Sequence, residues 1–198
     1  MAEIGSTLVK ERFNSPKIDE EISDGQDVEE RAAGLDDYLG SHEYYPQDAK
    51  VVQYVQGRLD FLTDGKGGEV IVVHEDDMNA FAIQGHVVVS DGLLKILEHQ
   101  EELDGLLAHE LTHLSHNHLD SKRSNGTLIG SLGSRRIHET EADFAPLEYL
   151  DKKGINPAGI MSLFKRMEGK AIAREDDGFV IDLEHGSLLD RRLNLEQA

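Results

Sequence analysis

The sequence contains no cysteine and no tryptophan, and it has 20 lysines and arginines against 39 acidic residues. Without cysteine the chain cannot form disulfide bonds or thiolate zinc ligands, and the redox state of its compartment stays open. The formal net charge of −19 argues against binding to nucleic acid or to an anionic membrane surface, because both need clustered positive charge. The ordinary interpretation of this charge is a strongly solvated surface.

Long hydrophobic runs are also absent from the sequence. No apolar stretch approaches the length of a membrane span, and the first residues, MAEIGSTLVKERF, lack the apolar region of a signal peptide. We therefore expect a chain with no membrane span. Its 198 residues fit one domain with one sizeable core.

The first 45 residues differ in composition from the rest of the chain. Residues 14–45 are acidic and poor in apolar side chains, and glycines interrupt them. We predict that residues 1–45 form an acidic segment of short helices and loops, which is a candidate cover for a functional site. Residues 46–198 are predicted to form the main domain, which carries the motif described below.

The main domain contains both helix and strand patterns. Apolar residues at helical spacing predict helices, and β-branched runs predict buried strands. Asp91 and Asn156 are the predicted N-caps of two helices, and Gly154 is the predicted end of a third. The predicted helices are about 51–62, 92–100, 101–118, 135–153 and one starting at Pro157, and the predicted strands are 69–73 and 86–90, with room for a short strand between them. The sequence thus predicts an α+β fold, mostly helical, with one small sheet.

A short motif in the helix predicted at 101–118 carries metal chemistry. His109 and His113 are four residues apart, so their side chains project from one face of a helix, where two imidazoles can bind one zinc ion. Glu110 points slightly aside, and it can reach a water on the zinc and accept its proton. This HExxH pattern is typical of zinc peptidases, although a chance match in a chain rich in histidine and glutamate is the alternative.

The third ligand would discriminate between these interpretations. His116 extends the motif, but the metzincin pattern needs glycine at 116 and histidine at 119, where the chain has His116 and Leu119. His116 and His118 are better explained as helix-end residues that interact with the helix dipole. The remaining candidates for the third ligand are a carboxylate and a distant histidine. Glu139 and Asp143 lie four apart on the next long helix, although such acidic pairs are also common on solvated faces.

Several separated segments resemble one family, the prenyl-protease-like gluzincin metallopeptidases of the BepA and HtpX type. NAFAIQGHVVVSDGLL at 79–94 is similar to the family's strand segment, and EELDGLLAHELTHLSHNH at 101–118 is similar to its active helix. The pattern R-x-x-E-x-E-A-D at 136–143 resembles its third-ligand helix, and HGSLLDR at 185–191 resembles its late His-Pro segment. The resemblance covers roughly residues 50–195 and implies the soluble catalytic domain of such an enzyme.

The resemblance implies a role for each residue of the two helices. His109, His113 and Glu139 would bind one zinc ion per chain, and Glu110 would act as the general base and pass its proton to the leaving amine. Asp143 would orient a histidine ligand through a hydrogen bond.

The resemblance also implies roles outside these helices. His185 and Arg191 would lie near the zinc and stabilise the oxyanion, or His185 would occupy the open zinc position. Gly186 stands where the family has proline, so we expect a looser loop at His185. The residues implied at a sheet edge, where an extended peptide adds as a strand, are Asn79, Ala80, Phe81 and Ala82.

We therefore expect a gluzincin-like α+β domain with its small sheet beside the HExxH helix, acting as a zinc endopeptidase on extended or unfolded protein segments. Two alternatives remain. One is a catalytically silent or latent zinc-containing protein that binds peptides at the same strand edge, and the other is an acidic interaction protein without metal. The substrate, the oligomeric state and the compartment stay open. The resemblance suggests the cell envelope for a chain whose signal has been removed, and we expect the cytoplasm otherwise.

Overall fold

The computed structural model describes residues 35–116, 137–173, 181–182, 186–187, 191–192 and 195. The helices and strands among these residues are α1 (35–41), α2 (Lys50–Thr63), β1 (Glu69–Val73), β2 (Ala80–Ile83), β3 (His86–Ser90), α3 (Asp91–Leu94), α4 (Gln100–Ser115), α5 (137–144), α6 (Leu147–Lys152), α7 (Gly159–Ala173), β4 (Ile181–Asp182) and β5 (Gly186–Ser187). This is the predicted class of fold, α+β and mostly helical, and the prediction is confirmed. None of the helices in the described part of the chain is both long and apolar enough to cross a lipid bilayer.

The main sheet has three strands in the order β1, β3, β2. The central strand β3 is parallel to β1 and antiparallel to β2. A two-residue turn joins β2 to β3, and both of its residues have positive φ, 50° at Gln84 and 78° at Gly85. These angles are those of a type I′ turn, whose twist matches that of an antiparallel hairpin. Among the described strands β2 is therefore an edge strand.

The two faces of this sheet are both covered by helices. Its strands read as nearly continuous apolar runs, as expected for a sheet that is buried on both sides. One face packs on α2 and α4 through Val70, Val72, Ala80, Val87 and Val89. The other face packs on α1 through Ile71, Val73, Phe81, Ile83 and Val88.

Helix α1 lies across the sheet from α4, because it packs on the second of these faces. It therefore does not cover the HExxH helix. Residues 1–34 of the acidic N-terminal segment lie outside the described residues, and the predicted role of residues 1–45 as a cover stays a prediction.

Helix α4 is buried along most of its length and crosses α7 at very close range. A Cβ atom added at Gly105 would lie 2.8 Å from the backbone nitrogen of Ile160, and one added at Gly159 would lie 2.1 Å from the carbonyl oxygen of Glu101. Larger residues at these two glycines would push the helices apart. The close crossing fixes the position of α4, which carries the HExxH motif.

The structure differs from the predicted elements at several helices. The helix predicted at 92–100 is only the four-residue α3. The long helix predicted at 135–153 is interrupted between α5 and α6, because Pro146 has no N–H to donate and its ring crowds the preceding turn. The N-cap of α3 is Ser90 instead of Asp91, since the Ser90 hydroxyl accepts a hydrogen bond from the Leu93 N–H at 3.1 Å. The helix predicted to start at Pro157 with Asn156 as its cap begins instead at Gly159, and the Asn156 side-chain oxygen accepts from the Ala158 N–H at 3.0 Å in the turn before it.

Candidate metal centre and active site

The two histidines of the HExxH motif converge on the buried side of α4. His109 is 2% exposed and His113 is 5% exposed. Their Nε2 atoms lie 3.1 Å apart, with the two rings tilted by 72°. Because one helical turn separates them, both Nε2 atoms face the same point in space.

Glu139 of α5 completes this group of donor atoms. Its Oε2 atom lies 3.4 Å from His109 Nε2, and its Oε1 atom lies 3.4 Å from His113 Nε2. All three side chains are buried, and their donor atoms lie within 4.8 Å of one another. Two imidazoles and one carboxylate are common ligands of divalent transition metals. Within the described residues, this cluster could hold a metal ion.

Asp143, one turn after Glu139, holds the other side of the first histidine. Its Oδ1 atom lies 3.0 Å from His109 Nδ1. A proton on Nδ1 that is donated to this carboxylate leaves Nε2 as the electron-pair donor, which is the tautomer that metal coordination needs. Burial and the charge of Arg191 lower the pKa of His109, but the hydrogen bonds to Asp143 and Glu139 outweigh them and hold this pKa at about 9. The pocket therefore strongly favours positive charge at His109.

Arg191 reaches the same centre from the C-terminal part of the chain, and it is buried. Its Nε and Nη2 atoms donate to the two carboxylate oxygens of Asp143 at 3.0 and 2.7 Å. Nη2 also lies 3.2 Å from His109 Nδ1 and from His109 Nε2, and the guanidinium packs over the Phe164 ring at 4.3 Å. Burial opposes the charge on Arg191, but Asp143 and Glu139 raise its pKa above the ordinary value.

This arrangement places Arg191 near the cluster, as the sequence suggested, but its main partner was not predicted. Asp143 occupies two of its donor atoms, so the geometry favours a role in holding Asp143 and His109 over direct contact with substrate. The pair spans 48 positions along the chain, and the sequence alone gives no signal for it. The same holds for the contact between Arg191 and Phe164.

Glu110 is 1% exposed and lies on α4 beside the first histidine. Glu110, Glu139 and Asp143 together bring three carboxyl groups to this buried site. Arg191 and His109 are positive partners of these groups among the described residues. Buried carboxylates depend on such partners.

The other candidate histidines have different outcomes. His116 ends α4, and its Nδ1 atom lies 3.2 Å from Glu141 Oε1, so it joins α4 to α5 and takes no place among the three converging donors. His185 and His118 lie outside the described residues. The role implied for His185 therefore stays a prediction.

The strand segment at 79–82 lies at the sheet edge next to the HExxH helix. Ala80, Phe81 and Ala82 belong to β2, which contacts α4. Asn79 precedes the strand and exchanges hydrogen bonds with Ser90, donating its N–H to the hydroxyl and accepting the Ser90 N–H, both at 2.9 Å.

This pairing sets the direction of the backbone groups in β2. Because hydrogen-bonded and non-hydrogen-bonded pairs alternate in an antiparallel ladder, Phe81 pairs with β3 in the same way as Asn79. Ala80 and Ala82 fall between these positions. Their N–H and C=O groups therefore point away from β3, toward the edge of the sheet.

Comparison with known proteins identifies relatives of this chain. Residues 47–129 match peptidase family M48. The protease HtpX homolog of Halobacterium salinarum is 61% identical over 41 residues, which are 19% of this chain and 14% of that protein. The beta-barrel assembly-enhancing proteases of Escherichia coli and Shigella flexneri are 34% identical over 70 residues, which are 32% of this chain and 14% of each relative. The resemblance to gluzincins of the BepA and HtpX type is confirmed.

The matched part of the chain is limited. Each alignment covers 14% of its relative, so the chain matches a small part of these proteins. The family match includes the HExxH helix and the strand segment but ends before Glu139. The comparisons support a metallopeptidase, while the places of Glu139, Asp143 and Arg191 rest on the geometry described above.

Proposed function

We propose that this protein is a zinc-dependent endopeptidase that hydrolyses peptide bonds in extended or unfolded protein segments. The convergence of His109, His113 and Glu139 beside the buried carboxylate of Glu110 carries this proposal. The match to family M48, which includes the HExxH helix, also supports a peptidase.

The spacing of the donor atoms supports zinc as the metal. Ligand atoms at about 2.0–2.2 Å from a tetrahedral zinc ion are separated from one another by about 3.3 Å. The two Nε2 atoms lie 3.1 Å apart, and each lies 3.4 Å from a different oxygen of the Glu139 carboxylate. His109, His113 and Glu139 would hold the ion, and three protein ligands leave a fourth position open, as in catalytic zinc sites.

When bound, zinc supplies a Lewis acid that lowers the pKa of a coordinated water to about 7 and polarises the scissile carbonyl. Glu110 then acts as the general base, accepting a proton from the attacking water at its carboxylate and donating it to the leaving amine. Asp143 holds the His109 ring in the required orientation, and Arg191 holds Asp143. Burial of these groups strengthens each of their electrostatic interactions.

The edge of β2 is the proposed binding site for the substrate backbone. The outward N–H and C=O groups of Ala82 would pair with an extended peptide as an added strand. Main-chain pairing of this kind requires a substrate segment whose backbone is not already paired. Unfolded or extended segments are therefore the proposed substrates, and folded domains are not.

Cleavage of dye-labelled casein by the zinc-loaded protein tests this proposal, with Glu110→Gln as the inactive variant. We expect cleavage to fall about 10²–10⁴-fold in the variant, because general base catalysis is lost while the zinc ligands remain. Zinc content should be unchanged. Glu148→Gln, which changes an exposed carboxylate of α6 in the same way, is the matched control and should cleave at the normal rate.

Two outcomes would contradict the proposal. Equal cleavage by Glu110→Gln and wild type would mean that Glu110 is not the base. A zinc-loaded wild-type protein that binds casein without cleaving it would favour the catalytically silent peptide-binding alternative.

A further inference from the structure

We propose that helix α1, acting through Tyr38, is a positioning element for the edge strand β2. The inference rests on the proposed function, which assigns β2 to substrate binding. It gives residues 35–45 a role in the affinity for substrate, although these residues lie before the stretch that matches family M48. Tyr38 is here a positioning residue, because it contacts the strand and lies on the other side of the sheet from the zinc ligands.

The side chains of β2 face two different helices. Ala80 and Ala82 are buried, and Ala80 belongs to the core that contains α4. Phe81 and Ile83 are half-buried and pack on the opposite face with the side chains of α1. The strand therefore packs on the HExxH helix at one face of the sheet and on α1 at the other face.

Tyr38 makes the most specific contact between α1 and β2. Its ring meets the Phe81 ring edge-on, with centroids 5.0 Å apart and an angle of 86° between the planes. The Tyr38 ring also stacks on the His42 ring, with centroids 4.0 Å apart. The Tyr38 hydroxyl donates to Glu75 Oε2 at 3.4 Å. Leu35 packs on the same face of the sheet. Tyr38 thus has little freedom to move away from Phe81.

The chain after α1 is attached to the opposite edge of the same sheet. Tyr44 forms an antiparallel bridge with Val73 of β1, and the Tyr45 N–H donates to the Val72 carbonyl at 2.9 Å. The His74 N–H donates to the carbonyl of Glu43 at 2.8 Å. Residues 43–45 therefore occupy the outer edge of β1, and α1 crosses the sheet from that edge toward β2. The edge proposed to bind substrate is the opposite one, at β2, so residues 43–45 do not occupy it.

Support of β2 should act on substrate affinity more than on the chemical step. Among the described strands, β3 is the hydrogen-bonded neighbour of β2, and the packing of Phe81 on Tyr38 adds to the stability of the strand. Without this packing β2 should fray more readily. A peptide that pairs with a frayed strand must first order it, and this cost weakens binding. The zinc ligands and Glu110 belong to α4 and α5, which α1 does not touch in the packing described above.

The test compares full-length Tyr38→Ala, Tyr38→Phe and wild type with a fluorescence-quenched peptide that spans a casein cleavage site. We expect Tyr38→Ala to raise KM about two- to tenfold, the range expected for loss of one aromatic pair, with kcat and zinc content unchanged. Tyr38→Phe keeps the ring and should behave as wild type. Tyr54→Ala, which removes a half-exposed tyrosine on α2, is the matched control and should leave KM unchanged.

Amide hydrogen exchange provides a readout that does not depend on activity. The amides of Phe81 and Ile83 face β3, so they should exchange faster in Tyr38→Ala and at the wild-type rate in Tyr38→Phe and Tyr54→Ala. Unchanged exchange at these amides together with an unchanged KM would overturn the proposal. A fall in kcat with constant KM would also overturn it, because that result indicates a loss of folded enzyme.

Failure of the proposed function would be recognisable separately. In that case the wild-type protein would not cleave the peptide. The zinc-loaded Glu110→Gln protein would not bind it either, as measured by fluorescence anisotropy of the labelled peptide. The substrate role of α1 would then be wrong. Exchange at Phe81 and Ile83 would still decide whether Tyr38 positions β2.

Discussion

At the scale of single residues, Asp143 links the candidate metal cluster to the C-terminal part of the chain. Asp143 accepts from His109 Nδ1 on one side and from Arg191 on the other. Its pKa lies below the ordinary value, because the charge of Arg191 and the hydrogen bond from His109 outweigh the cost of burying the carboxylate. Asp143 is therefore ionised near neutral pH, and it can orient His109 with a full negative charge.

Replacement of this charge should weaken metal binding. In Asp143→Asn we expect the dissociation constant for zinc to rise about 10–100-fold, since the ring of His109 loses its charged partner. Titration against a chromophoric chelator measures this constant directly. Glu148→Gln changes an exposed carboxylate on α6 and is the control, with zinc affinity expected to match wild type. Equal zinc affinities in all three proteins would show that Asp143 does not support metal binding.

At the scale of helices, two arginine–carboxylate pairs hold α4 in place. Asp104 accepts two hydrogen bonds from Arg58 of α2, at 2.7 and 2.8 Å. Glu102 accepts from Arg166 and Ser162 of α7, at 2.7 and 2.8 Å. Both carboxylates are fully buried, so their charges depend on these partners. The active helix is thereby tied to a helix on each side.

Glu102 should make this attachment sensitive to acid. Burial raises its pKa, but hydrogen bonds from Arg166 and from the backbone N–H of residue 98 dominate and lower it from the ordinary 4.5 to about 2. A depressed pKa stabilises the folded state above the unfolded value, and this stabilisation is lost as pH falls from about 4.5 toward about 2. Glu102→Gln should lower the free energy of unfolding near neutral pH by about 1.5–3 kcal/mol, the contribution of hydrogen bonds to a charged group.

Chemical denaturation at several pH values checks this expectation. The difference in stability between wild type and Glu102→Gln should shrink as pH falls through that window. Glu148→Gln, on the exposed side of α6, should match wild type at every pH. A constant difference down to about pH 2 would show that Glu102 stabilises α4 through its shape and not through its charge.

The elements differ in how far the sequence predicts them. Apolar spacing placed α2 and α4 within a few residues, because the periodicity of each helix reports directly on its buried face. The break at Pro146 was missed, although proline inside a helical pattern is a visible local signal. The strand β2 was expected only as a candidate, since Ala80 to Ile83 is short and its role as an edge depends on the register with β3.

At the scale of the whole molecule, the sequence predicts which residues form the metal cluster better than it predicts what surrounds them. Spacing within one helix gives His109 and His113, and the resemblance to a family gives Glu139. The pair of Arg191 with Asp143 and the contact of Tyr38 with Phe81 join distant parts of the chain. Neither has a periodic or compositional signal, so only the fold reveals them.

The charge of the whole molecule is consistent with a site that requires a cation. The chain carries a formal net charge of −19, and the buried site gathers the carboxyl groups of Glu110, Glu139 and Asp143. Metal binding should therefore be linked to stability as well as to activity, because only the folded chain brings the three donors together.

The most direct test of the account is the zinc content of the purified protein, measured by native mass spectrometry in wild type, Glu139→Ala and Glu148→Ala. We expect one zinc ion per chain in wild type and in Glu148→Ala, and little or none in Glu139→Ala. Zinc that is absent from wild type, or retained at full level in Glu139→Ala, would contradict the assignment of a metal centre shared by α4 and α5.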